Sequence, residues 1–196
     1  KQRTKEMNEK AKKALDSLIE GNKNFVNGIS TAKNRTVETL KALQTGQSPI
    51  ACVLTCSDSR VVPELIFDKG LGDLFVVRGA GAVIGPNILE SVEYAVAKLK
   101  VPLVIVMSHD DCGVMKAAKS TYPAEPEKFG LLIKSVYEII DHETECYNEL
   151  ALDYTLVKKR KLLKRSELLR KAYAAGELDI VRAYFKFDTG EVKILD

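Results

Sequence analysis

The chain has 196 residues, of which 45% are hydrophobic and 29% are charged, a composition that excludes a disordered or fibrous protein. Its formal net charge of +3 is too small for the strong positive field of a dedicated nucleic-acid-binding protein. No apolar run approaches the roughly 20 residues that cross a bilayer. We therefore expect one soluble domain over residues 1–196, with no nucleic-acid or membrane partner.

The first 46 residues are predicted to form a helical arm within that domain. Apolar residues recur at intervals of three and four through residues 11–19, and most of the residues between them are charged. Gly21 and Asn22 are predicted to end this helix, and a second short helix is expected over residues 37–43.

Three apolar runs follow at residues 50–54, 74–77 and 101–107, and each has the pattern of a strand that is buried on both faces. Between the second and third runs, residues 87–98 carry apolar side chains at helical spacing. A strand, a helix and a strand within about thirty residues form a βαβ unit. This part of the sequence therefore predicts a parallel sheet.

The remainder of the chain is predicted to be mostly helical, over residues 131–140 and 150–173, with Gly176 ending the last helix. Residues 180–187 and 192–195 have the pattern of a hairpin with a short turn. The predicted fold class is therefore α/β, a central, mostly parallel β-sheet flanked by helices, with an N-terminal helical arm and a C-terminal antiparallel strand.

Basic residues are concentrated between Lys158 and Lys171, and they have two interpretations. They could form a patch that binds nucleic acid or a membrane, or they could form the solvated face of an amphipathic helix. Leucines interleave with these charges, which favours the solvated face.

Three potential zinc ligands follow predicted strands, where open α/β sheets bind their ligands. Cys56 follows the first strand, and His109 and Cys112 follow the third. If these strands are neighbours, the two thiols and the imidazole converge. Two thiolates and one imidazole suit Zn²⁺, and three protein ligands leave a fourth position for water, as in catalytic sites. Cys52 and Cys146 are interpreted as small buried hydrophobic residues.

Asp58 and Arg60 alternate with Cys56, so all three side chains point the same way in an extended segment. An arginine beside a carboxylate keeps it ionised, and such a carboxylate can orient a zinc-bound water. If Arg60 released it, Asp58 could become a fourth zinc ligand and close the site. Asp110 and Asp111 are interpreted as loop acids that cap the next helix, and His142 is interpreted as a surface residue.

The sequence Cys-Ser-Asp-Ser-Arg at residues 56–60, together with His-Asp-Asp-Cys-Gly at 109–113, resembles the motifs of the β-class carbonic anhydrases. The segments at residues 20–26, 63–67 and 72–78 also look like family segments. The resemblance implies zinc-dependent, reversible hydration of carbon dioxide to bicarbonate and a proton through a zinc-bound hydroxide. It also implies a homodimer or a larger homo-oligomer.

The resemblance assigns roles to individual residues. The positions that match the family's zinc ligands are Cys56, His109 and Cys112, and those that match its catalytic pair are Asp58 and Arg60. The positions that match its substrate pocket are Gln47, Phe75, Ala80, Tyr94 and Gly113. The two aromatic residues are expected to reach a neighbour's pocket across the dimer interface. Gln47 favours the plant-like branch with an open site over the branch in which aspartate caps zinc at low pH.

The chain departs from the family pattern at Ala80, which is smaller than the usual residue, and at Ser108, which replaces the commoner glycine before the ligand histidine. A wider pocket at Ala80 supports an alternative function, hydrolysis of carbonyl sulfide or carbon disulfide. A non-catalytic, zinc-stabilised binding scaffold is a further alternative, but it would need neither Asp58 nor Arg60. The expected compartment is the cytoplasm, or the periplasm or an organelle if a leader preceded Lys1.

Overall fold

A computed structural model describes residues 6–196, so the first five residues of the predicted arm lie outside the described part of the chain. The helices are α1 (Glu9–Val26), α2 (Val37–Ala42), α3 (Pro63–Ile66), α4 (Pro86–Ala97), α5 (Gly113–Lys116), α6 (Leu131–Tyr137), α7 (Tyr147–Arg165) and α8 (Glu167–Ala175). The strands are β1 (Ala51–Cys56), β2 (Leu74–Gly79), β3 (Leu103–His109), β4 (Asp179–Phe185) and β5 (Val192–Ile194).

The strands form one sheet in the order β2-β1-β3-β4-β5. The first four are parallel to one another, and β5 pairs antiparallel with β4. Every residue of β1 and β3 is buried, as expected of parallel strands that helices cover on both faces. The predicted α/β fold with its C-terminal antiparallel strand is confirmed.

Alternating strand residues form two hydrophobic layers, one on each face of the sheet. A third buried cluster contains Cys56, Cys112 and Tyr154. The layer on the side of α1 and α3 includes Leu18, Val53, Ile66 and Ile105. The layer on the side of α4 and α8 includes Leu54, Val92, Val104 and Leu169. Because β1 and β3 are adjacent and parallel, their carboxyl ends lie side by side at one edge of the sheet, together with the residues that follow them.

The prediction that Gly21 and Asn22 end the first helix is wrong, because α1 continues to Val26. A Cβ atom at Gly21 would lie 1.8 Å from the carbonyl oxygen of Phe67, so this glycine permits a close contact with the end of α3. Asn22 is buried, and its side-chain amide donates a hydrogen bond of 2.9 Å to the carbonyl oxygen of Gly190. Both residues therefore hold α1 against neighbouring segments of the chain and do not end the helix.

The single helix predicted over residues 150–173 is two helices, α7 and α8. Ser166 separates them in an extended conformation, with φ −111° and ψ 114°, and its Oγ accepts a hydrogen bond of 3.0 Å from the N–H of Leu169. This serine is an N-cap, which satisfies one free N–H group of the first turn of α8. Gly176, with φ +80°, ends α8 as predicted.

The predicted solvated face of α7 is wrong at Lys158, whose side chain is buried, although Arg160 and Lys164 are exposed. The ammonium of Lys158 donates a hydrogen bond of 2.8 Å to Ser108 Oγ on β3. Along residues 6–196, none of the helices is both long enough and apolar enough to span a membrane.

Candidate metal centre

The three predicted metal ligands come together at the carboxyl edge of the sheet. Cys56 is the last residue of β1, His109 is the last residue of the adjacent β3, and Cys112 immediately precedes α5. Their donor atoms all lie within 4.8 Å of one another, and all three residues are buried. Ligand-to-zinc distances of roughly 2.0–2.3 Å place the donors of one ion at such separations.

The imidazole of His109 is oriented by its own backbone neighbourhood. Its Nδ1 lies 2.7 Å from the carbonyl oxygen of Asp110, and we assign the ring proton to this nitrogen because a carbonyl only accepts hydrogen bonds. Nε2 is buried and has no hydrogen-bond partner among residues 6–196. A free lone pair on one nitrogen and a carbonyl partner on the other is the arrangement of a metal-binding histidine.

The sulfur of Cys56 accepts a hydrogen bond of 3.2 Å from the N–H of Gly81. Gly81 has φ +62°, and a Cβ atom there would lie 2.7 Å from Val114 Cγ1, so the position requires glycine. The hydrogen bond from the Cys112 thiol is the main effect that holds the pKa of the Cys56 thiol well below its usual range, and burial opposes it. Donating that bond raises the pKa of Cys112. The centre therefore already favours one thiolate, the form that binds a metal.

Asp58 and Arg60 form a two-pronged ion pair beside the thiols. Arg60 Nε lies 2.9 Å from Asp58 Oδ1, and Arg60 Nη2 lies 2.8 Å from Asp58 Oδ2. These hydrogen bonds hold the pKa of the Asp58 carboxyl well below its usual range. Arg78 Nη2 donates a bond of 2.8 Å to the carbonyl oxygen of Asp58, which fixes the loop. The pair thus presents an ionised carboxylate at neutral pH.

Phe187, which the sequence analysis missed, contacts two of these groups. Its ring stacks on the imidazole of His109 at a centroid distance of 5.3 Å, and the guanidinium carbon of Arg60 lies 4.3 Å from its centroid. Phe187 lies 78 positions after His109, and no sequence motif of metal sites includes an aromatic residue at that spacing. The available signal was its place just after β4, whose carboxyl end lies at the same edge.

The prediction that Asp110 and Asp111 cap the next helix is wrong. Cys112 is the N-cap residue of α5, and no side chain caps that position. Asp110 instead accepts a hydrogen bond of 2.9 Å from the hydroxyl of Tyr184 on β4, and Asp111 pairs with Arg60 at 3.3 Å. Asp110 therefore ties the loop between His109 and Cys112 to β4, and Asp111 joins that loop to Arg60 and to Lys116 on α5 without capping the helix.

The two other cysteines differ from each other. Cys52 is buried, as interpreted, and burial raises the pKa of its thiol to about 12. Cys146 is exposed, so its interpretation as a buried hydrophobic residue is wrong. It immediately precedes α7, as the N-cap residue of that helix. His142 is exposed, as predicted for a surface residue.

Two of the predicted pocket residues lie at the same edge as the donor atoms. Gly113 directly follows Cys112 and begins α5. Ala80 follows Gly79, which is the residue of β2 paired in register with Cys56. These positions border the metal centre within a single chain.

The other three pocket residues lie elsewhere in the chain. Gln47 is exposed and precedes β1, at the end opposite to Cys56. Phe75 pairs in register with Cys52, four residues before Cys56, and its ring centroid lies 6.0 Å from that of Tyr94. Tyr94 is 50% exposed. A single chain therefore does not bring these three side chains to its own metal centre.

Comparison with known proteins gives a consistent result. The family model described as carbonic anhydrase matches residues 51–192. Carbonic anhydrase 2 of Mycobacterium tuberculosis is 35% identical over 93% of this chain and 92% of its own length. The carbonic anhydrase of Mycolicibacterium smegmatis is 35% identical over 92% of this chain and 91% of its own length.

Solved structures agree with the sequence relatives. The β-carbonic anhydrase CcaA superposes with a TM-score of 0.70 at 27% identity, covering 93% of this chain and 95% of that one. A tetrameric β-carbonic anhydrase of Sordaria macrospora, 23% identical, shares the fold with a TM-score of 0.63 over 93% of this chain and 97% of its own. With the ligand motifs converging in this fold, and with full-length relatives above 30% identity, the chain belongs to the β-class carbonic anhydrase family.

Proposed function

We propose that this chain catalyses the reversible hydration of carbon dioxide to bicarbonate and a proton, with one zinc ion held by Cys56, His109 and Cys112. The observation that carries the proposal is the convergence of these three donors within 4.8 Å. The chemistry of the donor set fits zinc, and the free Nε2 of His109 fits a ligand position. Zinc with three protein ligands supplies a Lewis acid that brings the pKa of water toward roughly 7.

Asp58 has the role of orienting the attacking water. Its carboxylate is ionised because Arg60 binds both of its oxygens, so it accepts a hydrogen bond without taking up a proton at neutral pH. The same two bonds hold Asp58 in place and oppose its movement onto the metal. Phe187 limits the motion of Arg60 and His109 together, because its ring contacts both groups.

We further propose that a homodimer or a larger homo-oligomer completes the substrate pocket. Gln47, Phe75 and Tyr94 lie away from the metal centre of their own chain, and Gln47 and Tyr94 are exposed. The solved Sordaria macrospora relative is tetrameric. A pocket shared between two copies accounts for the placement of these three side chains, and Gln47 supports the open-site branch.

The alternative functions make different demands on the site. A structural zinc site has four protein ligands and needs no oriented carboxylate, whereas this edge offers three buried donors beside the Asp58–Arg60 pair. Hydrolysis of carbonyl sulfide would use the same centre and therefore requires a direct comparison of substrates.

The experiment is stopped-flow measurement of carbon dioxide hydration on the zinc-loaded protein, with sulfide release from carbonyl sulfide followed on the same sample. We expect carbon dioxide to be the faster substrate. Sulfide release without carbon dioxide hydration would contradict the proposal and favour the alternative. The variant Cys56→Ser serves as the control that lacks a ligand.

A further inference from the structure

Lys158 is a buried cation that none of the roles above uses. It lies on α7, which packs against β3, and the residue is only 1% exposed. Its ammonium donates a hydrogen bond of 2.8 Å to Ser108 Oγ, which is also buried. Among residues 6–196, its hydrogen-bond partner is this neutral hydroxyl, and it makes no ion pair with a carboxylate. Lysine is almost never fully buried without a charged partner, because the loss of hydration is costly.

Lys158 faces the two cysteines of the metal centre. Leu54 pairs in register with Val106, so Cys56 and Ser108, each two residues further on, point to the same face from adjacent strands. The ammonium also lies 5.4 Å from the ring centroid of Tyr154, which packs in one buried cluster with Cys56 and Cys112.

The ammonium of Lys158 interacts electrostatically with Cys112 and Cys56, and these interactions oppose the effect of burial. Burial lowers the pKa of Lys158 to about 8, which leaves the side chain protonated at pH 7. Ser108, which anchors the ammonium, directly precedes the ligand His109. The cation is therefore fixed behind the donor atoms, on the side of α7.

We propose that Lys158 is a positioning residue of the metal centre, where its ammonium, anchored by Ser108, is the buried counter-charge of the Cys56 and Cys112 thiolates. The inference rests on the proposed metal site. A fixed positive charge stabilises electron density on sulfur and so weakens its donation to a bound metal. Two thiolates donate more charge to a metal than two imidazoles would, and Lys158 offsets part of that excess, which leaves the metal a stronger Lewis acid.

The serine at position 108 has a purpose in this arrangement. A glycine at this position would leave the ammonium without its hydrogen-bond acceptor, because Ser108 Oγ is the acceptor that contacts it. Lys158 and Ser108 therefore act as one unit, in which α7 supplies the charge and β3 supplies the anchor.

The test uses the full chain loaded with Co²⁺ at pH 7, because thiolate-to-cobalt charge-transfer bands report the electron donation of the cysteines directly. Lys158→Met keeps the length of the side chain and removes the charge. We expect its charge-transfer band to shift to longer wavelength than in the unmodified protein. The matched control, Lys164→Met, removes an exposed charge from the same helix and should leave the band in place.

Lys158→Gln separates charge from hydrogen bonding, since it retains a donor for Ser108 and provides a second variant if the methionine variant does not fold. A shift to longer wavelength in Lys158→Gln supports the counter-charge. A band at the unmodified position in a folded Lys158→Met or Lys158→Gln protein would overturn it, because a purely structural contact predicts that result. The spectrum requires no turnover, so failure of carbon dioxide hydration would reject the proposed function without touching this inference.

Discussion

Each of the four cysteines has surroundings that determine its chemistry. Cys56 and Cys112 are hydrogen-bonded to each other beside an imidazole, and this arrangement favours a thiolate at Cys56. Cys52 is enclosed by the core, where burial raises the pKa of its thiol. Cys146 is exposed at the start of α7. Of the four, only Cys56 and Cys112 lie with His109 in the geometry of metal donors, and Cys56 is the one that this arrangement favours as a thiolate.

We expect Cys56→Ser to lose zinc and activity together, because a serine hydroxyl is a poor substitute for a thiolate ligand. Cys146→Ser, which changes the same atoms at an exposed position, should retain both. Metal analysis of the two purified variants gives the answer. Full zinc occupancy in Cys56→Ser would reject this residue as a ligand.

Asp58→Asn should keep zinc and lower turnover by ~10²-fold, the low end of what a positioned proton-handling group contributes. The amide cannot make the same ionic bonds to both Arg60 nitrogens, so the acceptor that orients water is weakened. Turnover per bound zinc, measured beside metal content, tests this. Unchanged turnover at full zinc occupancy would remove Asp58 from the reaction.

The pH profile distinguishes an open site from one that Asp58 closes. Because Arg60 lowers the pKa of Asp58, the carboxylate and its ion pair persist from alkaline pH down through neutral pH, and they are lost only in strong acid. We therefore expect turnover per bound zinc to follow the titration curve of a single group between pH 6 and 9. A cooperative collapse just below neutral pH would instead show that Asp58 leaves Arg60 to bind the metal.

Helices and strands with strong hydrophobic periodicity could be predicted from the sequence. Features that depend on a single contact, such as a helix boundary or a buried lysine, could not. The continuous apolar runs of β1 and β3 predict strands buried on both faces, and Cys56 and His109 are the last residues of those strands. The apolar spacing continues across Ser166, so periodicity alone joins α7 to α8. Likewise, a lysine gives no sequence signal of burial, and only the packing of α7 on β3 reveals Lys158 as part of the interior.

The break between α7 and α8 leads to a stability prediction. Ser166→Ala removes the hydroxyl that caps α8 and should lower the free energy of unfolding by about 1 kcal/mol. Chemical denaturation of the metal-free protein measures the difference. Ser17→Ala, at an exposed position of α1, is the control and should change stability little. Equal stability of Ser166→Ala and the unmodified protein would contradict the cap.

On the scale of the whole molecule, the metal ligands could be predicted from one chain, whereas the complete pocket could not. Cys56, His109 and Cys112 converge because adjacent parallel strands end at one edge. Gln47 and Tyr94 lie elsewhere, and sequence spacing carries no information about which surfaces meet in an assembly. Apolar residues of the N-terminal arm, such as Ile29 and Leu40, are 64% and 56% exposed, which suits burial against another copy.

We expect the active protein to be at least a dimer in solution. The proposed burial of the exposed arm and the proposed contribution of Gln47 to a partner's pocket both require a second copy. Light scattering at assay concentrations, coupled to activity measurements on the same fractions, tests the assembly. A fully active monomer would refute the shared pocket while leaving the metal centre intact.

The central claim is that a single zinc ion at Cys56, His109 and Cys112 carries the hydration of carbon dioxide. The direct measurement is stepwise addition of zinc to metal-free protein, with hydration measured by stopped flow and bound metal measured at every step. The account predicts that activity rises in proportion to bound zinc and reaches its plateau at one zinc per chain. Activity in the metal-free protein, or full zinc occupancy without hydration, would contradict it.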